Sequence, residues 1–143
     1  MQLFNNLNST DDIKVYSFVG PSGTGKSYRA QMVAKENNVK YIIDDGLLVS
    51  ENNVVAGTSA KKAPTKVETV KKAIFINEKD RNEMRKAIRK YKPESILILG
   101  TSDGMIDKIT ENLGIPKPCK RIYIQDVATE AEKEEYVQHK ENT

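Results

Sequence analysis

The chain is poor in the residues that staple or metallate small proteins: its 143 residues include one cysteine, Cys119, and one histidine, His139. A single thiol cannot pair within the chain, which excludes a disulfide scaffold, and there is no His/Cys cluster of the zinc type, so a metal here must be held by oxygen ligands. No apolar stretch approaches the ~18 residues of a membrane span. The start, MQLFNNLNSTDDIK, lacks the charged-then-apolar plan of a secretory signal, so the expected location is cytoplasmic, with no membrane partner. Aromatic residues make up only 6% and show no RNA-binding motif or interleaving with the basic residues, so nucleic-acid binding is not predicted.

What is present is a soluble-type composition, 38% apolar and 30% charged, in a length that suits one domain. Charge is uneven. Lys61–Lys92 holds twelve Lys/Arg against four Asp/Glu, whereas 128–143 holds five Glu against two Lys. The expected organisation is an N-terminal extension over 1–13, a nucleotide-binding domain over 14–127 and a charged helix or tail over 128–143.

Short apolar runs alternate with amphipathic segments, which predicts an α/β fold of three layers with a mainly parallel sheet and flanking helices. Val15–Val19 reads as a strand, Lys26 to about Asn37 as a helix and Tyr41–Ile43 as a second strand. Leu47–Val49 and Val54–Ala56 flank Ser50-Glu51-Asn52-Asn53 and read as a hairpin, because Asn tolerates positive φ. Gly57–Thr65 reads as a loop and Lys66–Ala73 as a short helix, while the pattern leaves open whether Ile74–Ile76 is a strand. In Glu78–Tyr91, Met84, Ala87, Ile88 and Tyr91 recur at helical spacing. Ile96–Leu99 is continuously apolar, as a central strand covered on both faces should be. A helix through Ile106, Ile109 and Leu113 stops at Gly114 and Pro116, and Ile122–Ile124 is the last strand.

Between the first strand and the first helix, Gly20-Pro21-Ser22-Gly23-Thr24-Gly25-Lys26-Ser27 matches G-x-x-x-x-G-K-[ST] at every fixed position. Glycines there let successive backbone N–H groups turn onto phosphate oxygens, and the helix N-terminus adds partial positive charge. Lys26 would bridge the β- and γ-phosphates and Ser27 would ligate Mg²⁺. The nucleotide-binding set expected is Gly20 through Ser27 with the adjoining Tyr28, although the spacing of Tyr28, Met32 and Val33 also suits packing.

The loop resembles that of the P-loop NTPase superfamily, and its wording is similar to guanylate kinases and other small kinases. In order of features the chain is most similar to shikimate-kinase-like enzymes, which carry acids just after the second strand, where Asp44 and Asp45 lie, and a glycine-rich turn after the third, where Gly100–Gly104 lies. It also resembles bacterial ATP-binding proteins in which such a domain precedes further sequence. The resemblance implies ATP and Mg²⁺ as cofactors.

A carboxylate at the end of a strand beside the loop should help hold Mg²⁺. Asp44 and Asp45 are preferred over Asp103, and Asp103 over Asp126; each also has a structural role open to it, turn chemistry for the pair and for Asp126, an N-cap for Asp103. The roles assigned are Mg²⁺ ligation for Asp44 and, for Asp45, acceptance of the proton of an incoming hydroxyl. The Gly57–Lys66 loop, with Thr58, Ser59, Lys61, Lys62 and Lys66, suits an anionic acceptor or the transferring phosphate as well as it suits plain solvation. Thr58–Lys61 looks like the guanine-contacting SAK element of GTPases, but no N-K-x-D precedes it, which favours ATP. The column Arg81/Arg85/Arg89 reads as a solvated face or as a surface for an acidic partner.

Two functions follow: a kinase-like phosphotransferase or ATPase with an unknown acceptor, or a nucleotide-gated regulatory domain with slow or no hydrolysis. The absence of a recognisable arginine-rich lid after Met105–Leu113 favours the second.

Overall fold

The computed structural model describes residues 12–127. The 128–143 segment, with His139, and nearly all of the 1–13 extension lie outside the described residues. The elements are β1 (Lys14–Val19), α1 (Lys26–Glu36), β2 (Tyr41–Asp44), β3 (Leu47–Ser50), β4 (Asn53–Gly57), a 3-10 turn (Ala60–Lys62), α2 (Lys66–Ala73), α3 (Glu78–Tyr91), β5 (Ser95–Gly100), α4 (Asp103–Leu113) and β6 (Lys120–Tyr123). They build one sheet of order β4-β3-β2-β5-β1-β6. β2, β5, β1 and β6 run parallel, and β3 and β4 are antiparallel additions at the β2 edge.

Alternation along the strands separates two cores, because successive side chains point to opposite faces. Val15, Val19, Ile43, Ile96 and Ile98 face one side, with Met84, Ala87 and Ile88 of α3 and Ile106, Ile109 and Leu113 of α4. Phe18, Ile42, Leu97 and Leu99 face the other, with Ala30, Val33 and Ala34 of α1. The result is the three-layer α/β architecture that the alternating pattern implies.

The β2–β3 connection is the two-residue turn Asp45-Gly46, with φ of 52° and 82°. Two successive positive φ values are the type I′ geometry that matches strand twist, and Asp-Gly is among its preferred pairs. The β3–β4 connection, Glu51-Asn52, repeats it with φ of 52° and 68°. The hairpin read from Leu47–Ala56 is therefore present with a tighter loop, and a second hairpin precedes it. Ile74–Ile76 is not a strand: the chain turns there, with Phe75 at φ 62° and its ring 1% exposed. Tyr28 does not pack: it is 89% exposed, and Met32 is exposed too, while Val33 is buried as its spacing suggests.

Candidate nucleotide-binding site

The C-terminal ends of β1, β5 and β2 open onto one cleft of about 350 Å³. Its lining includes Ser22, Gly23, Gly25, Lys26, Ser27 and Tyr28 from the phosphate loop and α1, Asp44 and Asp45 from the end of β2, Gly100 and Thr101 from β5, and Lys61. A crevice at the carboxyl ends of parallel strands is where open α/β sheets bind ligands.

The loop is built for an anion. Gly23 and Gly25 have φ of 79° and 81°, where L side chains are strained. Gly20 is needed for another reason, because a Cβ there would run into Ile124. The Thr24 hydroxyl donates to the Pro21 carbonyl at 2.6 Å, pinning the bend. α1 has no side-chain N-cap and no acid in its first turn, whereas α2 and α4 are capped by Thr65 and Ser102. Uncapped N–H groups and the helix dipole favour a phosphate at this end.

Lys26 reaches back over the loop, donating to the carbonyls of Gly20 and, at 3.0 Å, Pro21. Burial holds its pKa below the ordinary lysine value, partly offset by the nearby Asp44 carboxylate. A desolvated ammonium of this kind gains from an added anion.

Across the cleft the Ser27 hydroxyl donates to Asp44 Oδ2 at 2.6 Å. These are the two residues the sequence assigns to Mg²⁺, and they come together although β5 separates β2 from β1, so the acid does not sit on a strand adjoining β1. The pair fits the ion: both offer hard oxygen ligands, and a hydroxyl and one carboxylate leave room for phosphate oxygens and water, as Mg²⁺ prefers. No group of three or more His, Cys, Asp or Glu able to hold a metal occurs among the described residues.

Asp45 is also in the cleft, held by the loop that follows β4. Its Oδ2 accepts from Ser59 Oγ at 2.7 Å and from the Lys61 N–H at 3.3 Å, and its carbonyl accepts from the Ala60 N–H at 2.9 Å. Asp45 thus occupies the turn and also lines the cleft. The SAK-like segment contacts this acid.

The fold divides the remaining candidates. Lys61 lines the nucleotide cleft, but Thr58 and Lys62 line a separate one of about 290 Å³ with Glu68, Lys72 and Asn77. Asp103 is not the N-cap of α4, a place taken by Ser102; it pairs with Arg121 at 2.9 Å and accepts from the Tyr123 hydroxyl at 3.0 Å. Asp126 is exposed just after β6. Arg81 of the basic column donates to the Ile76 carbonyl at 3.3 Å, and Lys72 pairs with Asp80 at 3.2 Å, so several charges of Lys61–Lys92 are engaged internally.

The sequence marks Thr101 only as part of a glycine-rich turn. It stands exposed at the end of β5, between loop and acids, and its N–H and hydroxyl donate to Met105 Sδ at 3.4 and 3.5 Å. A polar residue directly after the central apolar strand was the available signal.

A strand, an anion-binding loop opening a helix, and a hydroxyl–carboxylate pair at the strand ends define a P-loop nucleotide-binding domain. A family model described as "ATPase family associated with various cellular activities (AAA)" matches residues 16–127, and the chain belongs to that family. No curated protein matches it by sequence. At this coarse level it is an ATP-binding P-loop ATPase-type domain. Among the described residues no helix is long and apolar enough to cross a membrane.

Proposed function

We propose that the domain binds Mg·ATP on Gly20–Ser27 and transfers its γ-phosphoryl group to water. The observation that carries this reading is the Ser27–Asp44 contact at 2.6 Å, which joins the loop hydroxyl to a strand-end carboxylate. Ser27 and Asp44 would hold Mg²⁺, which supplies charge neutralisation at the phosphates. Lys26 turns from the Gly20 and Pro21 carbonyls to the β- and γ-phosphates, while the α1 N–H groups and glycine amides receive phosphate oxygens. Asp45, with Oδ2 fixed by Ser59, orients the attacking water and takes a proton from it through the other oxygen as ADP leaves. Phosphoryl transfer needs such positioning more than a strong base.

Water as the acceptor is supported by the ATPase family whose model matches residues 16–127. A kinase-like transfer to an organic hydroxyl uses the same residues and is favoured by the order of Asp44-Asp45 and Gly100–Gly104 that the chain shares with shikimate-kinase-like enzymes.

The test is labelled ATP with and without Mg²⁺, in the presence of a pool of small phosphoacceptors, for wild type and Lys26→Ala. Mg²⁺-dependent release of inorganic phosphate, lost in Lys26→Ala together with triphosphate affinity, is the expected result. Label on an acceptor selects the kinase reading, binding without turnover selects a nucleotide-gated regulatory domain, and undiminished ATP binding by Lys26→Ala overturns the site.

A further inference from the structure

The cleft contains a cation that the loop motif does not supply. Among the described residues lining it, the side-chain cations are Lys26, on α1, and Lys61, on the 3-10 turn after β4. That turn is fastened to the end of β2. Ser59 Oγ and the Lys61 N–H both bond Asp45 Oδ2, the Ala60 N–H bonds the Asp45 carbonyl, and the Ala60 side chain is fully buried. The packing is tight, since a Cβ on Gly46 would come within 2.6 Å of the Thr58 carbonyl oxygen. Lys61 therefore leaves a rigid base, on the β2 side of the cleft, while Lys26 rises from the β1 side with the end of β5 between them.

Charge arithmetic shows what Lys61 can meet there. A nucleoside triphosphate brings about four negative charges, and Asp44 and Asp45 line the same cleft, whereas Mg²⁺ and Lys26 together supply about three positive ones. Backbone N–H dipoles of the loop serve the phosphates on the α1 side. On the side of Asp45 the cationic residue lining the cleft is Lys61.

We propose that Lys61 is a substrate-contacting residue whose ammonium binds the γ-phosphate of the nucleoside triphosphate, supplying in cis the second cation that phosphoryl transfer needs. The proposal rests on the reading of this cleft as the Mg·ATP site. It makes the site selective for triphosphate over diphosphate, because the loop and Lys26 reach both nucleotides and Lys61 reaches only the group that distinguishes them. Lys62, the next residue on the same turn, lines the separate cleft and has no part in this contact.

The test is calorimetric titration of wild type, Lys61→Ala, Lys61→Arg and Lys62→Ala with Mg·adenylyl imidodiphosphate and with Mg·ADP. A charge-assisted contact predicts that Lys61→Ala weakens the triphosphate analogue about 10- to 100-fold while ADP changes less than about twofold. Lys61→Arg should recover most of the loss, and Lys62→Ala, which removes the same charge one residue away, should leave the ratio unchanged. Each Lys61 variant keeps the backbone N–H that bonds Asp45, so thermal unfolding should match wild type. An unchanged triphosphate-to-diphosphate ratio in Lys61→Ala, or the same change in Lys62→Ala, overturns the proposal. If wild-type binding of the analogue persists and depends on Lys26, the nucleotide site survives that outcome; if wild type binds no analogue, site and proposal fall together.

Discussion

The proposed function gives Asp45 a catalytic duty beside its structural one, and a pair of substitutions pulls them apart. It occupies φ 52° in the Asp45-Gly46 turn, where Asn and Asp are tolerated and Ala is strained by about 1 to 2 kcal/mol. Its Oδ2 accepts a 2.7 Å bond from Ser59, a charge-assisted contact of about 1.5 to 3 kcal/mol, taken at the low end because Asp45 is only half-buried. The 3.3 Å bond from the Lys61 N–H adds little. Asp45→Ala thus loses about 2.5 to 3.5 kcal/mol, a fall in Tm of roughly 7 to 14 °C for a domain of this size. Asp45→Asn keeps the turn geometry and an amide oxygen for Ser59, and should stay within about 1 kcal/mol of wild type. It cannot accept a proton from the attacking water, so its turnover should fall about 10²- to 10⁴-fold. The assays are thermal unfolding followed by circular dichroism and steady-state phosphate release at saturating Mg·ATP. Wild-type turnover in Asp45→Asn would refute the proton-accepting role. A wild-type Tm in Asp45→Ala would refute the clamp.

Away from the cleft, Arg121 bonds Asp103 and Asp107, each at 2.9 Å, tying β6 to the first turns of α4. The hydrogen bond from Arg121 holds the Asp107 carboxyl below the ordinary carboxylate range. A depressed folded-state pKa adds stability above the unfolded value that is lost as pH falls through the folded one, so Arg121→Ala should be less stable than wild type near neutrality, the gap closing below about pH 4. Equal acid unfolding profiles would contradict this. Ser17 is fully buried in β1 and its hydroxyl has no partner among the described residues. Ser17→Ala should be neutral or stabilising by up to about 1 kcal/mol, measured by denaturant midpoint, and a marked loss would reveal a partner for the hydroxyl.

Reading along the chain succeeded where the physics is local. The phosphate loop is legible because its demands fall on consecutive residues: positive φ at Gly23 and Gly25, a lysine, a hydroxyl and a helix start. The continuous apolar run Ile96–Leu99 announces a strand covered on both faces, and the structure buries all four residues. The turn at Asp45-Gly46 is legible as an Asp-Gly pair between apolar runs, although acids at a strand end beside a phosphate loop also suit a metal. Ile74–Ile76 misled because an apolar triplet cannot say whether its neighbours are strands or helices. Only the fold puts Phe75 into the core from a turn.

By itself, then, the sequence determined that this protein is an α/β domain with an anion-binding loop, and that any metal it takes must be held by oxygen. Those properties depend on neighbours in the chain: backbone freedom, side-chain alternation and ligand chemistry. The tertiary structure alone decided which acid meets Ser27, that β5 stands between the loop and that acid, that Asp103 turns to Arg121, and that Lys61 enters the cleft while Lys62 does not. Strand order and loop packing set these, and both are determined by contacts between residues far apart in sequence.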